Sequence, residues 1–122
     1  MALIDIIQPE NATGELKDIY DHLEKTRGKI AEVHKIQSLN PNSIMNHMDL
    51  YLTLMYGQSP IKRALREMIA VVVSRANECE YCQVHHIEAV NHYWKDDAKA
   101  ENFRKDYHSI ELTEVEQHMR PN

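Results

Sequence analysis

The stretch from Glu67 to His86 reads EMIAVVVSRANECEYCQVHH and holds both cysteines of the chain, Cys79 and Cys82, with two of its eight histidines. Cys79, Cys82 and His86 stand at positions i, i+3 and i+7. That spacing gathers three side chains on one stripe when the backbone is an α-helix, with His86 one turn past Cys82. Two thiols beside a base on one helical face make the pattern of a redox centre.

The rest of the chain reads as helices around that segment. Asn40-Pro41 and Ser59-Pro60 each pair a capping residue with a proline at the first helical position. They predict helices from Pro41 to Tyr56 and from Pro60 to Ala76. The Val71–Val73 run would also suit a buried strand, but the caps and the length favour helix. Upstream, Leu16, Ile19, Tyr20 and Leu23 recur at helical spacing and predict a helix over Glu10–Lys25, ended by Gly28. Ile30, Val33, Ile36 and Leu39 predict a short helix that ends at Asn40. Asn77 reads as a turn residue, and the next helix starts near Glu78 or Cys79 and continues to Trp94. Lys95–Lys105 is mostly charged and reads as a solvated helix or a linker. Thr113 with Glu116 has the form of a capping box, and the chain then stops as though a further helix were missing. The expected fold is all-α, with about five or six helices in a single domain over 1–122. Pro60–Ala76 and Cys79–Trp94 would be its antiparallel central pair.

Composition narrows the partners. The chain has 122 residues, a net charge of -5 and a pI of about 5.9. That disfavours nucleic acid and anionic membrane surfaces, which need clustered basic residues. The longest apolar run, Ile69–Val73, falls far short of a membrane span. The N-terminal MALIDIIQPEN has neither a basic region nor a long apolar region, so no secretory signal is read there. The expected compartment is the cytoplasm, where a CxxC pair is redox-active or metal-bound rather than a structural staple. So short a chain with this many apolar helix faces is expected to bury some of them against copies of itself.

A thiol becomes a nucleophile on losing its proton, and a helix N-terminus or a histidinium lowers its pKa from ~8.5 to roughly 3.5–7.5. Cys79 and Cys82 fall in the first turn of their helix, where unpaired N–H groups favour a thiolate. One turn also brings two thiols within disulfide range. His86 can take the Cys82 proton, and Glu67 on the preceding helix would approach His86 if the two helices form a hairpin. Blander readings stand beside these. The cysteines could be inert core residues, or zinc ligands together with His85 or His86, although a structural site wants four ligands. Glu67 could simply form a helix-face ion pair with Arg63 or Arg66. Lys62, Arg63 and Arg66 read as a solvated face, as do the histidines without motif context, His34 and His47 among them. His85 reads as exposed or at a subunit contact. Among only three glycines there is no Gly-rich loop, so no flavin, haem or nucleotide cofactor is expected.

The pattern E-x11-C-x2-C-x3-H, Glu67 through His86, resembles the alkylhydroperoxidase AhpD / carboxymuconolactone decarboxylase family, and most of all its peroxidase-related branch. The likeness covers SPIKRALREMIAVVVSRANECEYCQVHH and extends more weakly through LNPNSIMNHMDLYLTLMYG. It implies an all-helical AhpD-like fold that assembles as a trimer or hexamer, with a dimer also open. It implies a thiol peroxidase acting on small hydroperoxides and restored by a disulfide-reducing protein. Cys82 would react, Cys79 would close the disulfide with it, His86 would accept the Cys82 proton, and Glu67 would complete the relay. Tyr81 stands between the cysteines where characterised members place a histidine, and a phenol of pKa ~10 is a poor base at neutral pH. The chain reads as a short or truncated member. The alternative is a non-enzymatic oligomer of the same fold with redox-sensing or zinc-binding cysteines.

Overall fold

The computed structural model describes residues 2–114, and among them it has six helices and no strand. They are α1 Gly14–Arg27, α2 Glu32–Lys35, α3 Pro41–Tyr56, α4 Arg63–Ala76, α5 Glu80–Trp94 and α6 Asp97–Lys105. The chain divides into two compact units, one up to Leu54 and one from Met55 on. No helix among the described residues is long and apolar enough to cross a membrane. The Glu116 half of the expected capping box lies outside the described residues.

In the first unit the apolar stripe of α1 (Leu16, Ile19, Tyr20 and Leu23) is buried against Ile44 and Met48 of α3. Gly28 ends α1 in the left-handed conformation, φ 77°, with its N–H on the Glu24 carbonyl. The helix starts at Gly14 rather than Glu10, because Glu10 lies in a separate 3-10 turn, Pro9–Asn11, and Ala12 and Thr13 between the two are extended. The Tyr20 hydroxyl donates to the Ile7 carbonyl at 2.9 Å, and the Ile7 N–H donates to Ser38 Oγ at 2.9 Å. These two bonds pin the lead-in segment.

That pinning inverts the expected face of α2. Ser38 and His34 point inward, while Val33, Ile36 and Leu39 are 42%, 41% and 58% exposed. A repeat of three marks a stripe without saying which way it faces. The hydroxyl that answers the half-buried Ile7 amide decides it. His34 is thus no surface residue: its ring meets that of His47 edge-on at 5.5 Å, and burial pushes its pKa down. The helix is also one turn long rather than continuing to Asn40.

In the second unit a tight turn joins α4 to α5, and the two run back antiparallel. Asn77 closes α4, but Glu78 takes the left-handed position, φ 54°, and the Cys79 N–H reaches back to the Ser74 carbonyl at 3.0 Å. α4 starts three residues later than the Ser59-Pro60 signature predicts. Ser59 Oγ accepts the Ile61 N–H at 3.1 Å and closes a local turn instead of capping the helix. Within Lys95–Lys105 the helix runs over Asp97–Lys105, and Asp96 caps it by accepting the Lys99 N–H at 3.0 Å. Met68, Val71 and Val72 of α4, Ile87 and Val90 of α5, and Ala100 and Phe103 of α6 form this unit's core. Trp94 closes its edge, T-shaped on Phe103 at 5.5 Å. Arg104 then ties α6 to the start of α5 by an ion pair with Glu80 at 3.0 Å, and Arg75 of α4 donates to the Arg104 carbonyl at 2.8 Å.

Phe103 is 2% exposed. Phe103→Ala is expected to cost about 3–5 kcal/mol in the second unit, through lost transfer energy and the cavity left behind. Urea unfolding followed by the fluorescence of Trp94, the single tryptophan, measures it.

Candidate functional site

The hairpin of α4 and α5 places the chemistry-bearing residues. Cys79 is the N-cap of α5, and its sulfur accepts the Cys82 backbone N–H at 3.3 Å. The Cys79 and Cys82 sulfurs lie against each other as a disulfide pair, with Cα atoms 5.3 Å apart. Both residues are half-buried. A sulfur seated on a helix N-terminus is favoured as a thiolate.

Opposite, Glu67 is buried at the middle of α4, 1% exposed. Both of its oxygens are engaged. Oε2 meets His86 Nδ1 at 2.6 Å, and Oε1 pairs with Arg63 Nη2. Burial, the largest single influence, pushes the Glu67 carboxyl up. The hydrogen bonds from His86 and Arg63 outweigh it, so the group is held below the usual carboxylate value. A carboxylate can only accept, so Nδ1 of His86 carries the hydrogen. In the neutral ring Nε2 is then left as an acceptor. His86 itself is 20% exposed along its side chain and sits one turn past Cys82 on α5. Among the described residues its hydrogen bond goes to Glu67 and not to a cysteine sulfur.

Of the two arginines read as possible ion-pair partners of Glu67, Arg63 is the one that pairs with it. Arg63, expected on a solvated face, is 18% exposed along its side chain, and its guanidinium lies over the Tyr56 ring at 4.1 Å. The signal was present: Arg63 and Glu67 are four apart on one helix. Arg66, placed on the same solvated face, donates to the Gly57 carbonyl at 2.7 Å and the Ile61 carbonyl at 2.8 Å, holding the chain ahead of α4. Tyr81 is exposed and stacks on the His85 ring at 6.3 Å. Among the described residues no group of three or more His, Cys, Asp or Glu side chains is arranged to hold a metal ion.

The arrangement can exchange two electrons at the cysteines and hold a proton at His86. Glu67→Gln tests its electrostatic core. It leaves the Arg63 charge without a counter-charge and is expected to destabilise the fold by about 3–5 kcal/mol at neutral pH. Because Glu67 has a lowered pKa in the fold, the stability it contributes is full above about 4.5 and is lost as pH falls through the folded value. The gap between wild type and Glu67→Gln in urea unfolding should therefore narrow between neutral pH and the acid range.

The model of the carboxymuconolactone decarboxylase family matches residues 44–93, which takes in α4, the turn and nearly all of α5. No curated protein matches the chain. Two crystal structures are similar. One is an uncharacterized peroxidase-related protein from Silicibacter sp. TM1040, 28% identical, with a TM-score of 0.74 over 95% of this chain. This chain spans 58% of that protein's length. The other is an alkylhydroperoxidase AhpD core from Rhodospirillum rubrum, 21% identical, with a TM-score of 0.67 over 94% of this chain and 96% of that one. The second likeness is one of fold.

Proposed function

We propose that the chain, whose residues 44–93 match the carboxymuconolactone decarboxylase family model, is a thiol-dependent peroxidase cycling Cys79 and Cys82 between dithiol and disulfide. The observation that carries the reading is the buried Glu67 bonded to His86 one turn from the cysteine pair. In the reduced protein Cys82 gives its proton to His86 Nε2. The thiolate attacks the outer oxygen of a small hydroperoxide, the O–O bond breaks, and the alcohol leaves with the proton that His86 returns. The Cys82 sulfenic acid is attacked by the Cys79 thiolate, water leaves, and the disulfide closes. A disulfide-reducing protein supplies two electrons and two protons to restore both thiols. Glu67 orients the ring and stabilises the imidazolium while it holds the proton. The cytoplasm, where such reductants act, suits this cycle.

The same reading takes the protein as a homo-oligomer. Leu50 and Leu54 are 58% and 61% exposed on α3, and a second copy would cover such side chains. A non-enzymatic assembly with sensing thiols is the second reading, favoured by those same exposed residues.

Thiol titration and intact mass separate the two. One equivalent of hydroperoxide should remove two hydrogens from the reduced wild type. His86→Ala should slow this about 10²-fold or more, the scale of a lost proton acceptor. Cys79→Ser should trap a sulfenic acid on Cys82. Thiols that stay reduced in the wild type would favour the non-enzymatic reading.

A further inference from the structure

Arg63 has no part in the cycle described above, yet it is built into the site. Its Nη2 pairs with Glu67 Oε1, on the opposite side of the carboxylate from His86. Its Nε and Nη1 are buried without a hydrogen-bond partner. A guanidinium normally spreads five N–H donors over several acceptors. Here a single nitrogen meets the carboxylate, and the Tyr56 ring covers the cation at 4.1 Å. A cation 18% exposed along its side chain is only partly screened, and its charge acts on Glu67 and, through it, on His86.

We propose that Arg63 is a positioning residue: it fixes Glu67 in place as a carboxylate and weakens the hold of His86 on a proton taken at Nε2. The inference rests on the peroxidase reading of the same site, in which that proton must be returned to the leaving alcohol. Glu67 alone would stabilise the imidazolium strongly and keep the proton on it. A fixed cation behind the carboxylate opposes this, because it lowers the proton affinity of every group near it. The direction does not depend on how Glu67 and His86 share the proton. Without the cation, the pair as a whole keeps its proton to higher pH. Other groups do not supply the same charge. On α5 the near neighbour of His86 is the His85 ring at 5.7 Å, itself stacked on Tyr81. Tyr56 lies under the Arg63 guanidinium and carries no formal charge at neutral pH. From α6, Arg104 is engaged by Glu80 and Glu101, and Lys99 lies over Trp94.

The test follows the His86 ring signal of the reduced protein by NMR across pH in wild type, Arg63→Gln, Arg63→Lys and Tyr56→Ala. Arg63→Gln should move the titration midpoint up by about 0.5–1 pH unit, the scale of one nearby charge. The acid limb of hydroperoxide-driven thiol loss should move with it, so that below the midpoint the rate falls about 3- to 10-fold. Arg63→Lys keeps the charge and should stay at the wild-type midpoint. Tyr56→Ala lets water onto the cation and should shift the midpoint in the same direction by less. A wild-type midpoint in Arg63→Gln overturns the assignment, and so does an equal shift in Arg63→Lys, which would mark a packing role. If Arg63→Gln does not fold, an unmoved midpoint in Tyr56→Ala overturns it. The ring titration involves no peroxide. Expected shifts in a protein whose thiols ignore hydroperoxide would refute the peroxidase reading alone, and unmoved midpoints in a protein that consumes peroxide would refute the Arg63 assignment alone.

Discussion

A carboxylate that is 1% exposed has lost nearly all of its hydration, and it stays charged only where other groups replace that water. Glu67 has one such group on each oxygen, Arg63 along its own helix and His86 across the hairpin. The two contacts have different origins. The Arg63 contact needs only the four-residue spacing of a helix. The His86 contact needs α4 and α5 to lie antiparallel at one particular offset. The ion triad and the hairpin therefore specify each other: a one-residue slip of α5 would carry His86 off the carboxylate and leave a buried charge half satisfied.

The turn sets that offset. Glu78 accepts a left-handed backbone, and the Cys79 N–H returns to Ser74, so α5 starts at a defined height beside α4. The same turn delivers Cys79 to the N-cap, where its sulfur meets the Cys82 N–H. Arg104 and Arg75 then hold the end of α6 against this corner. The cysteine pair and the proton-holding pair are thus placed by one hairpin, a turn apart. Their proximity follows from packing that would be needed to bury Val71, Ile87 and Val90 in any case.

Much of this was legible in the chain. The helix periodicity of Leu16, Ile19, Tyr20 and Leu23 predicted the buried face of α1, and Asn40-Pro41 predicted the start of α3, because a helix has one period and a proline suits its first turn. Other features were not legible, for physical reasons. Ser59-Pro60 looks like a helix start, but a serine hydroxyl can as readily close a local turn, and here it bonds Ile61. Val33, Ile36 and Leu39 make an apolar stripe, but a stripe has no sign. The orientation came from Ser38 answering an amide thirty-one residues away, a contact no local pattern encodes. The Arg63–Glu67 ion pair was open in the sequence, but the four-residue spacing does not say whether the pair faces solvent, and the arginine lies mostly buried beside it.

The central claim is that Glu67 fixes the His86 ring with hydrogen on Nδ1 and so leaves Nε2 as the acceptor. Nitrogen–proton correlation NMR of the reduced protein at alkaline pH reads this tautomer directly. Hydrogen on Nδ1 in the wild type, giving way to a mixture of tautomers in Glu67→Gln, is the expected result. Hydrogen on Nε2 in the wild type would contradict the claim, because the nitrogen facing away from Glu67 would then be a donor with no proton to accept.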